Sequence, residues 1–262
     1  MIRLIATDID GTLVEDGTAS INPEIYDIIL KLREKGIQFA AASGRHWYSI
    51  ENLFKPVCEK IFYISNNGAY IGMKGRNLFL YTFEKKLSDE LISVIKENPR
   101  LIIMASGKDT YYTDTNDEDF LTWLRQGYRP LIKIVDDLTQ VKEDFIKISA
   151  YSAYPITDEA SYIVDRFSNR LEARYSGKMW LDCVPLGVDK GKGIKIIQQA
   201  LGISDKETMV FGDQDNDVEM LKSSYYSYAV LNAVDSAKKA ARFMADKNTS
   251  DGVLKILKLL TI

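Results

Sequence analysis

Hydrophobic positions along this chain follow two rhythms, and the rhythm changes twice. Ile2, Leu4, Ile5 and Ala6 form a short apolar run, which predicts a strand buried on both faces of a parallel sheet. It stops at Asp8-Ile9-Asp10-Gly11-Thr12. Ile25, Ile28, Ile29 and Leu32 then recur at i, i+3, i+4 and i+7, the apolar stripe of a helix. Asn22 suits its N-cap, Pro23 its first turn and Gly36 its C′ position. A strand over 38–42 follows at once, giving a βαβ unit with a right-handed crossover. A third strand, over 61–65, runs into the turn signal Asn66-Asn67-Gly68.

From residue 81 to 185 the rhythm is mixed. Spacing predicts helices over 87–97, around 118–125 and over 157–167. Short runs rich in apolar and aromatic residues predict strands over 101–106, 110–113, 145–150, 171–175 and 179–184. Tight turns such as Ser176-Gly177-Lys178 imply antiparallel pairing and an α+β insert. The α/β rhythm then returns: helix 190–201, strand 208–211, helix 217–223, a strand near 228–231 and helical spacing over 253–260. The expectation is a doubly wound, Rossmann-like α/β parallel-sheet core of residues 1–80 and 186–262, interrupted by an α+β domain of residues 81–185.

Composition removes several classes of function. The chain has 262 residues and a net charge of −3. That is no footprint for nucleic acid and no polybasic signal for a membrane. The longest uncharged run, residues 61–73, is too short to span a bilayer, which takes about 20 residues. Charge at Arg3 and Asp8 interrupts any leader-like apolar stretch, so a cytoplasmic protein is expected. His46 is the single histidine, which rules out a multi-histidine metal site. Cys58 and Cys183 lie far apart and form no CxxC motif, so they read as reduced, buried thiols.

The chemistry gathers where strands end. Asp8 and Asp10 follow the first strand, two positions apart and so on one side of an extended segment. A second acidic cluster, Gly212-Asp213-Gln214-Asp215-Asn216-Asp217, follows the strand over 208–211. Ligands of open α/β sheets collect outside the carboxyl ends of strands. Two carboxylates at 4 Å repel by roughly 4 kcal/mol at an effective dielectric of 20, so several converging on one rim call for a cation or shared protons. Hard oxygen ligands without His or Cys point to Mg²⁺, and Mg²⁺ points to a phosphate group on the substrate. Ala42-Ser43-Gly44-Arg45 offers a hydroxyl and backbone N–H groups for that phosphate, and Lys190 a positive charge near a helix start.

Together these segments resemble the four motifs of the haloacid dehalogenase superfamily, in the expected order. The first is Asp8-Ile9-Asp10-Gly11-Thr12-Leu13, the second Ser43-Gly44, the third Lys190, the fourth Gly212-Asp213 with Asn216-Asp217. Asn67-Gly68-Ala69 and Asp251-Gly252-Val253 are similar to the Cof-type sugar-phosphatase branch. Only 35 residues separate Asp8 from Ser43, whereas 147 separate Ser43 from Lys190 and contain the insert, an arrangement that resembles a type 2 cap. The resemblance implies a phosphatase of small phosphomonoesters, sugar phosphates foremost, with the cap setting specificity. It implies Asp8 as nucleophile, Asp10 as general acid and base, and Mg²⁺ on Asp8, Asp10, Asp213 and Asp217. Ile9, Ser43, Gly44, Lys190 and Asn216 would hold the phosphoryl group, and Arg45 and Asn67 are candidates for substrate contact. A phosphomannomutase-like phosphotransfer and a non-catalytic phosphate-binding module are the rival readings. His46 reads as a satisfied structural histidine, and Tyr111, Tyr112, Tyr128, Tyr151 and Tyr154 chiefly as sheet packing, some with sugar-stacking potential. The sequence leaves the oligomeric state open.

Overall fold

The computed structural model describes residues 1–15, 18, 20–128 and 131–261, and the backbone alone for 127 and 128, so the side chain of Tyr128 lies outside it. The chain divides into two compact units: Met1–Phe79 with Asp189–Ile262, and Leu80–Val188.

The first unit opens with β1 (Leu4–Thr7), buried along its whole length. Next come α1 (Glu24–Glu34), β2 (Gln38–Ala42), α2 (Trp47–Leu53), β3 (Phe62–Ser65), β4 (Tyr70–Met73) and β5 (Arg76–Leu80). The apolar stripe of α1 is buried, as its spacing requires. Asn22 Oδ1 accepts from the backbone N–H of Glu24 at 3.1 Å, and Gly36 takes the left-handed conformation (φ +79°) that ends the helix.

The second unit carries α3 (Lys85–Ile95), β6 (Ile102–Ser106), β7 (Tyr111–Thr113), α4 (Glu118–Tyr128), β8 (Ile132–Ile134), β9 (Lys147–Tyr151), α5 (Ile156–Phe167), β10 (Leu171–Tyr175) and β11 (Trp180–Pro185). Its sheet runs β10-β11-β9-β6-β7-β8. Pairing is antiparallel except between β7 and β8, which run parallel, a departure from the wholly antiparallel expectation. The connection between β7 and β8 contains α4, and a helical crossover returns the chain in the same direction. One face buries Ile103, Ala105, Ile148, Ala150, Leu181 and Cys183 beneath α3 and α5. The other packs Met104 against Phe120, Leu121 and Leu124 of α4.

The chain then returns to the first unit through α6 (Lys190–Leu201), β12 (Thr208–Gly212), α7 (Val218–Lys222), β13 (Tyr226–Val230), α8 (Asp235–Ala240), β14 (Phe243–Ala245) and α9 (Gly252–Leu259). The sheet order is β14-β13-β12-β1-β2-β3-β4-β5. All its pairs from β14 to β3 are parallel, and β4 runs antiparallel to β3. From β1 the order continues to β2 on one side and β12 on the other. The topological switch point, where such sheets bind ligands, therefore lies between β1 and β12. No described helix is long and apolar enough to cross a membrane, and Cys58 and Cys183 are buried thiols without a disulfide.

Candidate active site

Asp8 and Asp213 stand on adjacent strand ends because β1 and β12 pair in parallel register, Thr7 opposite Phe211. The Asp8 N–H donates to the Phe211 carbonyl at 2.9 Å, which carries that register into the loop. Asp217 follows within the next turn, where its Oδ2 accepts from the N–H groups of Asp213 (2.9 Å) and Gln214 (3.1 Å). Oxygen atoms of Asp8, Asp213 and Asp217 lie within 4.8 Å of one another, and all three residues are buried. Lys190 reaches them from the start of α6. Its Nζ donates to Asp8 Oδ1 at 2.6 Å and to Asp217 Oδ1 at 2.7 Å, with no exposed surface of its own. Thr12 donates to Asp213 Oδ1 at 2.5 Å, a contact that no motif spacing announces.

The charges do not balance: three buried carboxylates surround one ammonium group. Burial first, and Asp217 second, push the Asp8 carboxyl well above its ordinary range and that of Asp213 up to about 7. Burial opposes the charge of Lys190, but Asp217 and Asp8 outweigh it and raise its pKa. A hard divalent cation would relieve this repulsion. An all-oxygen set without His or Cys matches Mg²⁺ rather than zinc.

Asp10 is turned to a different partner. Arg45 donates Nε to Asp10 Oδ2 at 2.7 Å and Nη2 to Oδ1 at 2.6 Å, and Nη2 also reaches the Thr18 carbonyl at 2.7 Å. The Asp10 carboxylate thus stands outside the three-carboxylate group, and Arg45 meets it in the planar two-bond geometry of a guanidinium fork. Ile9 is fully buried and its carbonyl accepts from Leu13 and Val14, which curls the chain behind the motif. Gly11 sits at φ +84° with no space for a side chain, since a Cβ there would fall 2.3 Å from Asp213 Oδ2.

Ser43 directly follows β2, buried, with its Oγ accepting the Arg45 N–H at 3.0 Å; Gly44 beside it is half-buried. Asn66 and Asn67 hold positive φ (48° and 56°), and their N–H groups donate to the carbonyls of Arg45 and Ser43. Asn67 Oδ1 accepts from Asn216 Nδ2 at 3.1 Å, so the second and fourth motifs share this loop. His46 is buried and caps α2, its Nδ1 accepting from the Tyr48 N–H at 3.3 Å.

Known proteins resemble this chain over almost its whole length. The haloacid dehalogenase-like hydrolase family matches residues 5–257. An Escherichia coli K12 5-amino-6-(5-phospho-D-ribitylamino)uracil phosphatase is 26% identical over 257 residues, covering 98% of this chain and 95% of its own. A solved Eubacterium rectale structure is 30% identical with a TM-score of 0.86, and one from Streptococcus mutans UA159 is 27% identical with a TM-score of 0.91; each match covers 99% of both chains. With strand-end carboxylates, a buried lysine and matches over almost its whole length, this chain belongs to the haloacid dehalogenase-like hydrolase family, as a phosphatase of its Cof-type branch.

Proposed function

We propose that this protein is a cytoplasmic, Mg²⁺-dependent phosphatase of small phosphomonoesters, sugar and sugar-alcohol phosphates foremost, working through a phosphoryl group carried on Asp8. The observation that carries this reading is the buried group of Asp8, Asp213, Asp217 and Lys190 at the switch point, with Asp10 held beside it by Arg45. In the first step an Asp8 oxygen attacks phosphorus and the bond from phosphorus to the alcohol oxygen breaks. Asp10 gives that oxygen a proton, because an alkoxide is a poor leaving group. In the second step Asp10 takes a proton from water, the water oxygen bonds to phosphorus, and the Asp8–phosphorus bond breaks. Arg45 fixes the direction of the Asp10 carboxyl group throughout.

The backbone N–H groups of Ile9 and Gly44, the Ser43 hydroxyl, Lys190 and Asn216 hold the phosphoryl oxygens, an electrostatic preorganisation. Asp8, Asp213 and Asp217, with the backbone carbonyl of Asp10, would hold Mg²⁺. The ion supplies the positive charge that lets an anionic nucleophile meet an anionic phosphoryl group. The insert is the cap that sets specificity. The Escherichia coli relative, whose named substrate is a phosphorylated ribityl compound, supports placing sugar-alcohol phosphates in the substrate class.

Phosphate release across hexose, pentose, polyol and nucleotide monophosphates tests the reading. Turnover of sugar or polyol phosphates with Mg²⁺, lost in excess EDTA, is expected. No release from any ester, or undiminished release in EDTA, would overturn it.

A further inference from the structure

The loop that follows Asp10 is tied down from the far end of the chain. Within the loop, the Gly11 N–H donates to the Val14 carbonyl at 2.8 Å. Asn232, in the turn after β13, donates Nδ2 to the Gly11 carbonyl at 2.8 Å, and its Oδ1 accepts from the Asn248 N–H at 3.0 Å. Asn248, just past β14, donates Nδ2 to the Val14 carbonyl at 3.2 Å. These contacts close a ring that runs from Gly11 through Val14, Asn248 and Asn232 back to Gly11. The Asn232 turn is itself anchored. Leu231 N–H donates to the Ala245 carbonyl at 3.0 Å, and Val234 N–H to the Asp213 carbonyl at 2.9 Å.

The ring needs a side chain at position 232 that donates on one side and accepts on the other, which a carboxamide does and a carboxylate does not. Asn232 is exposed, so water could satisfy its amide, and the bonds it makes instead add little stability. Their effect falls on the backbone they hold. Glycine has the widest backbone freedom of any residue, and Gly11 directly follows Asp10 at φ +84°. A carboxyl group mounted beside such a pivot needs its direction set from outside. Arg45 grips the Asp10 side chain, and the ring grips the peptide next to it.

We propose that Asn232, assisted by Asn248, is a positioning residue for Asp10: it fixes the Gly11 pivot so that the Asp10 carboxyl group meets the leaving oxygen of the substrate. This rests on the phosphatase reading above and deepens it. A displacement of that carboxyl by a fraction of its working distance is enough to slow proton transfer. The loss then depends on the leaving group. An alkoxide needs the proton, whereas p-nitrophenolate departs as a stable anion. The ratio kcat/KM reports the steps up to transfer of the phosphoryl group to Asp8, so the later hydrolysis, common to all esters, does not enter the comparison.

The test measures kcat/KM with saturating Mg²⁺ for p-nitrophenyl phosphate and for the sugar or polyol phosphate that the unaltered protein turns over fastest. Asn232→Asp keeps the acceptor for Asn248 and loses the donor to Gly11. It is expected to lower kcat/KM for the alkyl ester about twentyfold and for p-nitrophenyl phosphate less than threefold, a part of the 10²–10⁴ that a general acid supplies. Asn248→Ala, which loses the bond to Val14, is expected to act in the same direction by about fivefold, and it decides the matter if a thermal melt shows that Asn232→Asp does not fold. Equal losses with the two esters, as a misfolded fraction would give, or no loss with either, overturn the proposal. If the unaltered protein releases phosphate from neither ester, the phosphatase reading itself fails. If it releases phosphate from p-nitrophenyl phosphate alone, no alcohol leaving group is served by Asp10 and both the sugar-phosphate reading and the positioning role fall.

Discussion

Lys190 sits without exposed surface between Asp8 and Asp217, and Asp213 adds a third carboxylate to the same small volume. The consequence is readable in pH. Asp213 is held up to about 7, above the ordinary carboxylate value, so the folded protein keeps a proton there that the unfolded chain has lost. Stability from that proton is complete in acid and is lost as pH rises through about 7. Binding Mg²⁺ requires the carboxylate, so it expels the proton. Calorimetric titration with Mg²⁺ in buffers of different ionisation heat is expected to show more protons released at pH near 6 than at pH near 8. Equal release at both would contradict the assigned shift. Arg45 supplies a second residue-scale prediction. Arg45→Lys keeps the charge but not the two-bond fork on Asp10, and kcat is expected to fall about a hundredfold with little change in melting temperature. Steady-state kinetics and a thermal melt check it. The pairing of Asp10 with Arg45 is invisible in the sequence, because it depends on β1 and β2 lying side by side in a particular register.

The elements divide by how strongly burial writes itself into sequence. β1, β2 and β12 are buried on both faces and read as unbroken apolar runs, and α1 and α6 carry an apolar stripe between clear caps. Six elements escape such a reading. β4, β5, β8 and β14 are short, largely exposed or at sheet edges, while α2 and α8 span seven and six residues, too little for a periodic stripe. The polar alternation of β9, Lys147-Ile148-Ser149, is present in the sequence, yet its partner Asp182 becomes a neighbour only through strand pairing. The loop after β3 shows what an element must spend to place a site. Asn66, Asn67 and Gly68 all hold positive φ, and a Cβ on Gly68 would fall 2.3 Å from the Asp189 carbonyl oxygen, against the N-cap of α6. Gly68→Ala is therefore expected to destabilise the protein by about 2 kcal/mol or more and to shift Lys190 with the start of α6. Denaturant unfolding reads the first effect and kcat the second; a midpoint equal to that of the unaltered protein would refute the packing argument.

For the whole molecule, the two ends of the chain build one sheet. β1 has β2 on one side and β12 on the other, so the switch point forms only when residues near the N-terminus meet residues beyond 200. That topology makes a chain of net charge −3 concentrate three acidic side chains on one spot, which no overall charge foretells. Asp8, Ser43 and Asp213 were legible as strand-end residues because apolar runs stop at each of them. The contacts of Thr12 with Asp213 and of Asn67 with Asn216 were not, since each joins segments more than a hundred residues apart. The central claim is that Asp8 carries the phosphoryl group. Rapid acid quench of a turnover with radiolabelled phosphomonoester and Mg²⁺, followed by peptide mapping, measures it directly. The account predicts label on the peptide containing Asp8 in the unaltered protein, and neither label nor phosphate release in a folded Asp8→Asn variant. Phosphate release by Asp8→Asn at close to the unaltered rate would contradict it.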